Sequence, residues 1–145
     1  MPGFLIIAHA PLASALYAVA QHTFPERLGN LEFFDVHPGM EVEEIEASIC
    51  LLLDQVRNPD ALILTDVFGA TPCNAAQKIA QTISDKASQV RLIAGINVPM
   101  LWRILCYAED SLDMLVNRAI SGATQGVMSV EISRPQHQAS KGVSP

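Results

Sequence analysis

Apolar residues along this chain fall into short unbroken runs that alternate with stretches of helical spacing. Residues 3–9 (GFLIIAH) are apolar and close on a polar residue, the pattern of a strand buried on both faces. Leu12, Ala15, Leu16, Val19 and Ala20 then recur at helical spacing. Residues 31–36 (LEFFDV) read as a second strand, ended by His37-Pro38-Gly39. Val42, Ile45, Ile49, Leu52, Leu53 and Val56 form a helical stripe. Glu41, Glu43, Glu44 and Glu46 crowd its start, where the helix dipole favours negative charge. Asn58-Pro59-Asp60 marks a turn, and residues 61–67 (ALILTDV) a third strand. Thr71-Pro72 predicts an N-cap followed by proline at the first helical position. That helix turns Ala76, Ile79, Ala80 and Ile83 inward. Residues 90–96 (VRLIAGI) read as a fourth strand. Pro99 lies near the start of a helix bearing Met100, Leu101, Ile104, Leu105 and Ala108. Ser111 predicts the cap of one more helix, with Leu112, Leu115, Val116, Ala119 and Ile120 inward and Gly122 and Gly126 at its end. Residues 127–133 (VMSVEIS) alternate apolar and polar, as a half-exposed fifth strand does.

Regular alternation of strand and helix predicts an α/β fold of three layers, α/β/α, around a four-stranded parallel sheet, for which the order 2-1-3-4 is expected. Crossovers are expected to be right-handed. Residues 1–133 make one domain, and 134–145, polar and rich in turn formers, a flexible tail. The 145 residues suffice for a real core, and 50% hydrophobic with 17% charged residues excludes a disordered chain. The net charge of −6 argues against a nucleic-acid partner. Cys50, Cys73 and Cys106 form no CxxC pair and are odd in number, which disfavours disulfides or zinc and points to a cytoplasmic location. No basic leader opens the chain, and no apolar run approaches the ~20 residues that span a bilayer.

In open α/β sheets, sites form beyond the carboxyl ends of strands, where strand order reverses. Here that point lies between strands one and three. Strand one ends in His9; strand three ends in Thr65-Asp66, followed by Val67-Phe68-Gly69-Ala70-Thr71. His9 and Asp66 are therefore expected to meet. A carboxylate on one imidazole nitrogen fixes the tautomer and leaves the other nitrogen free to attack. Gly69, Ala70 and Thr71 lead into a helix N-terminus, whose N–H groups and hydroxyl suit an anion such as a phosphoryl group. A histidine nucleophile, an orienting aspartate and an anion cradle together suit phosphoryl transfer, which is largely positioning plus electrostatics.

At these residues the chain resembles the mannose-family IIA component of the bacterial phosphoenolpyruvate-dependent sugar phosphotransferase system. The segments that carry the resemblance are 6–13 (IIAHAPLA), 65–76 (TDVFGATPCNAA) and 93–101 (IAGINVPML), in the right order within elements spanning residues 3–133. The resemblance implies that His9 takes a phosphoryl group from the histidine of the carrier protein HPr and passes it to a IIB component, with Asp66 as its partner aspartate. Thr71 stands where the family usually has serine. The resemblance also implies a homodimer that exchanges the C-terminal strand, here 127–133, antiparallel to the partner's sheet edge. Ala10 and Ala70 stand where the family often has glycine. Many relatives carry a fused IIB domain; if this chain feeds a transporter, its IIB component is expected to be a separate protein. Neither a cofactor nor a metal is expected, and the membrane enters only indirectly, through a transporter complex.

Three other readings remain open. The protein is a regulatory module whose phosphorylation state is the signal; or the phosphotransferase subunit of a dihydroxyacetone kinase, which shares the fold; or a metal hydrolase. The last would need His9, His37 and Asp66 as ligands, without the HxH, HxxxH or HExxH spacing that strengthens such an assignment. The ordinary reading of His22, His137 and Cys73 is structural. Phe68 and Met100 suit either the core or a docking surface for HPr.

Overall fold

The structure is a computed structural model and describes residues 1–83 and 88–133. Four parallel strands, β1 (Gly3–His9), β2 (Leu31–Val36), β3 (Ala61–Thr65) and β4 (Val90–Ala94), form one sheet in the order β2-β1-β3-β4. Five helices connect and cover them: α1 (Leu12–Thr23), α2 (Val42–Val56), α3 (Thr71–Ile83), α4 (Val98–Cys106) and α5 (Leu112–Gln125). A short 3-10 turn, Pro25–Arg27, leads from α1 towards β2.

Side chains on a strand alternate between faces, and β1 is central, so both sets are buried. Phe4, Ile6 and Ala8 pack with α1, α4 and α5 on one face. Leu5 and Ile7 pack with α2 and α3 on the other. This explains the continuous apolar run of β1, where each residue from Phe4 to Ala8 is at most 1% exposed. All four strands run the same way, so their carboxyl ends share one rim. There His9 is in register with Val36, Ile7 with Thr65, and Thr65 with Ala94.

The expected α/β/α architecture and sheet order are observed. Four details differ. The third and fourth strands stop at Thr65 and Ala94, two residues short of the apolar runs that suggested them. Helix α1 buries Ala13, Leu16 and Ala20 and leaves Leu12 and Val19 exposed. Ile120 is exposed on α5, whereas Leu112, Leu115, Val116 and Ala119 are buried as expected. Residues 127–133 form no strand within this chain, and Val127, Met128, Val130 and Ile132 are all exposed. The expected tail, 134–145, lies outside the described residues. Among the described residues no helix is long and apolar enough to cross a membrane.

Candidate functional site

The sheet rim brings His9 and Asp66 together. His9 is the last residue of β1, and Asp66 follows the last residue of the adjacent β3. The ring Nδ1 lies 2.7 Å from Asp66 Oδ2, and the His9 backbone N–H donates to the same oxygen at 3.0 Å. The other carboxylate oxygen, Oδ1, accepts from the Val67 N–H at 2.9 Å. The carboxylate is sunk into the rim while the imidazole stands out from it, at 10% and 54% side-chain exposure.

Those contacts set the charge of Asp66 and the tautomer of His9. Burial by itself raises the Asp66 pKa. The hydrogen bonds from the His9 N–H, the His9 ring and the Val67 N–H, with the charge of His9, outweigh it and hold the carboxyl below its ordinary value. A carboxylate only accepts, so Nδ1 carries the proton that faces it. The lone pair of the neutral ring is then on Nε2, which has no protein partner among the described residues.

His9 also lines a cleft of about 390 Å³, shared with Ala10, Val36, the turn His37 to Met40, Ile45 and Thr71. Thr71 is the first helical residue of α3 and not its cap. The Ala70 carbonyl accepts the first intrahelical bond, from the Asn74 N–H at 2.9 Å, which moves the cap one residue back. Its hydroxyl makes no cap bond, and Thr71 lines the cleft together with His9. Gly69 and Ala70 shape the loop but do not line the cleft. Gly69 adopts φ +87, in the left-handed region glycine tolerates best, and its carbonyl accepts from Asn74 Nδ2 at 3.1 Å. Among the described residues, the N–H groups of Phe68, Gly69, Thr71 and Cys73 have no acceptor. Unpaired N–H groups at a helix N-terminus favour an anion.

The remaining candidates separate clearly. Phe68 is 79% exposed beside Asp66, whereas Met100 is buried in the core and forms no docking surface. Cys73 is buried and His22 is exposed on α1; His137 lies outside the described residues. His37 shares the cleft with His9, but among the described residues no three His, Cys, Asp or Glu side chains are placed to hold a metal ion. The His9-His37-Asp66 metal site is thus not formed. Sequence reasoning missed Asp35. Its Oδ1 accepts the Ser14 N–H at 3.0 Å, which satisfies a donor of the first turn of α1 just behind His9. The available signal was an acid near the end of a strand that neighbours the start of that helix.

The profile of the EIIA-man family, described as PTS system fructose IIA component, matches residues 3–120. The chain is 32% identical over 130 residues to the PTS system mannose-specific EIIAB component of Escherichia coli (strain K12), a match covering 88% of this chain and 39% of that protein. The chain thus spans about two fifths of the length of that curated relative. It is 26% identical over 117 residues to the PTS system sorbose-specific EIIA component of Lacticaseibacillus casei, covering 81% and 79% of the two chains. Its fold superposes with a TM-score of 0.79 on the mannose/sorbose specific IIA subunit from Enterococcus faecalis, at 22% identity over 92% of this chain and 97% of that one.

Proposed function

The chain belongs to the EIIA-man family of sugar phosphotransferase system IIA components, and from that premise we propose that it relays a phosphoryl group on Nε2 of His9. The observation that carries this reading is the 2.7 Å contact between Nδ1 and Asp66 on a ring that otherwise faces solvent.

The donor in this reading is the phosphohistidine of HPr. The Nε2 lone pair of His9 attacks phosphorus in line with the nitrogen that leaves. The Nε2–P bond forms, the donor N–P bond breaks, and its electron pair returns to the HPr imidazole. No net proton transfer is needed, because Nδ1 keeps its proton throughout. As phosphorus arrives, positive charge grows on the His9 ring, and the Asp66 carboxylate balances it. The phosphoryl oxygens would be held by the Thr71 hydroxyl and free N–H groups at the start of α3. The reverse sequence delivers the group to a IIB component, in the cytoplasm.

The reading also includes a homodimer that exchanges residues 127–133. Val127, Met128, Val130 and Ile132 are 74, 68, 76 and 93% exposed, an apolar row that a single chain leaves in water. An added strand at the sheet edge beside β4 would bury it.

The test is phosphorylation in vitro with phosphoenolpyruvate, enzyme I and HPr. Wild type is expected to gain one acid-labile phosphate and His9→Ala none. Labelling that persists in His9→Ala would move the nucleophile elsewhere.

A further inference from the structure

Resting on the phosphoryl-relay reading, we propose that His37 is a second imidazole of the site and donates a hydrogen bond to the phosphoryl group carried by His9. His9 and His37 line the same cleft. Val36, in register with His9, places the next residue at the mouth of that cleft.

The backbone holds His37 there firmly. Its carbonyl accepts the Met40 N–H at 3.3 Å, closing a turn with Pro38 and Gly39 at its centre. Gly39 has φ +83, and proline then glycine at these two positions is the combination a type II turn requires. The His37 N–H points back into the same turn, to Met40 Sδ at 3.3 Å. The ring itself is exposed and has no hydrogen bond among the described residues. An imidazole with no structural partner, on a pinned turn, is free to serve whatever enters the cleft.

The charge inventory makes that service specific. A phosphoryl group brings negative charge, and none of the six described Lys and Arg side chains lines the cleft. Arg27 binds the carbonyls of Leu105 and Cys106, and Arg103 binds Gln125. Arg57, Lys78, Arg91 and Arg118 pair with Asp54, Glu46, Asp113 and Asp110. Among the described residues, the side chains left to donate in the cleft are Thr71 and His37, apart from the nucleophile. The glutamates at the start of α2, Glu41, Glu43 and Glu44, do not line it. An imidazole always has an N–H to offer, in either protonation state.

The test compares wild type with His37→Ala, His37→Asn and His37→Gln, starting from phospho-HPr. The measurements are the single-turnover rate and the phosphorus-31 resonance of phosphorylated His9. His37→Ala is expected to slow transfer about tenfold or more, the factor that loss of one hydrogen bond to a charged group carries, and to shift the resonance. Asn or Gln, which keep an N–H donor, should recover part of the rate. Transfer by His37→Ala within twofold of wild type, with an unshifted resonance, would overturn the proposal. So would equal slowing by all three variants. Either result leaves the relay intact so long as wild type is phosphorylated. A wild type that takes no phosphate removes the relay itself.

Discussion

Replacing Asp66 with Asn tests the central contact with almost no change in shape. The carboxylate accepts on both oxygens: Oδ2 from the His9 N–H and ring Nδ1, and Oδ1 from the Val67 N–H. An amide has one acceptor oxygen and one NH2 group. With its oxygen in the Oδ2 place, the NH2 meets the Val67 N–H, two donors face to face. With its oxygen in the Oδ1 place, the NH2 meets the His9 N–H, and Nδ1 must become an acceptor. The second arrangement moves the ring proton to Nε2 and removes the lone pair that attacks. At least one charge-assisted bond is lost either way, so the variant should be destabilised by about 2 kcal/mol. In urea that lowers the midpoint by about 1 M. An Asp→Asn change behind the histidine of a serine protease costs on the order of 10⁴ in rate through the same tautomer reversal, and a loss of about 10³-fold or more in phosphoryl transfer is expected here. Single-turnover transfer from phospho-HPr measures the rate, and nitrogen-15 shifts of His9 report the tautomer. The pH dependence follows with a definite sign. Because the folded pKa of Asp66 is depressed, its stabilisation is present above the ordinary value of 3.8 and is lost as pH falls through the folded value. The stability gap between wild type and Asp66→Asn should therefore close in acid. Transfer by Asp66→Asn within threefold of wild type would refute the tautomer argument.

Three further outcomes are expected elsewhere in the molecule. The Thr65 hydroxyl is fully buried at the end of β3 with no partner among the described residues; Thr65→Val should be neutral or stabilising by about 1 kcal/mol in chemical denaturation, and a loss of more than that would reveal an unseen partner. Asn97 caps α4 by accepting the Met100 N–H at 2.9 Å and ties it to α5 by donating to the Ala123 carbonyl at 3.3 Å; Asn97→Ala should cost about 1–2 kcal/mol in thermal unfolding. Aspartate at both Val130 and Ile132 should convert the proposed dimer to monomer in sedimentation while leaving the fold of residues 1–126 intact by circular dichroism; a dimer that survives both would place its interface elsewhere.

The sheet was legible because its central strands have no polar face to mislead. Once residues 3–9 and 61–67 read as strands, the switch-point rule placed the end of one beside the end of the other, and His9 and Asp66 met there, although the third strand itself stops at Thr65. The phase of α1 was not legible for the opposite reason. Leu12, Ala13, Ala15, Leu16, Tyr17, Ala18, Val19 and Ala20 leave that helix apolar nearly all round, so periodicity could not choose a face. Tertiary packing chose it: Tyr17 lies against Phe33 with ring centroids 4.8 Å apart, which turns the small residues Ala13 and Ala20 onto the sheet.

Residues 127–133 show a different limit. Alternation says that a segment can be a strand, but a strand exists only where a ladder accepts it, and nothing local to the segment names the ladder. The cap of α3 failed on the same distinction between residue type and backbone path. Thr-Pro is a sound cap signature, yet the chain enters the helix at Ala70, because its carbonyl is the one that reaches the Asn74 N–H. That one-residue shift bears on function. A capping threonine would spend its hydroxyl on the helix, whereas at the first helical position the hydroxyl has no intrahelical duty, and Thr71 lines the cleft with His9 and His37. If the shift matters in this way, Thr71→Val should slow phosphoryl transfer while costing the fold little, whereas a capping role would give the reverse.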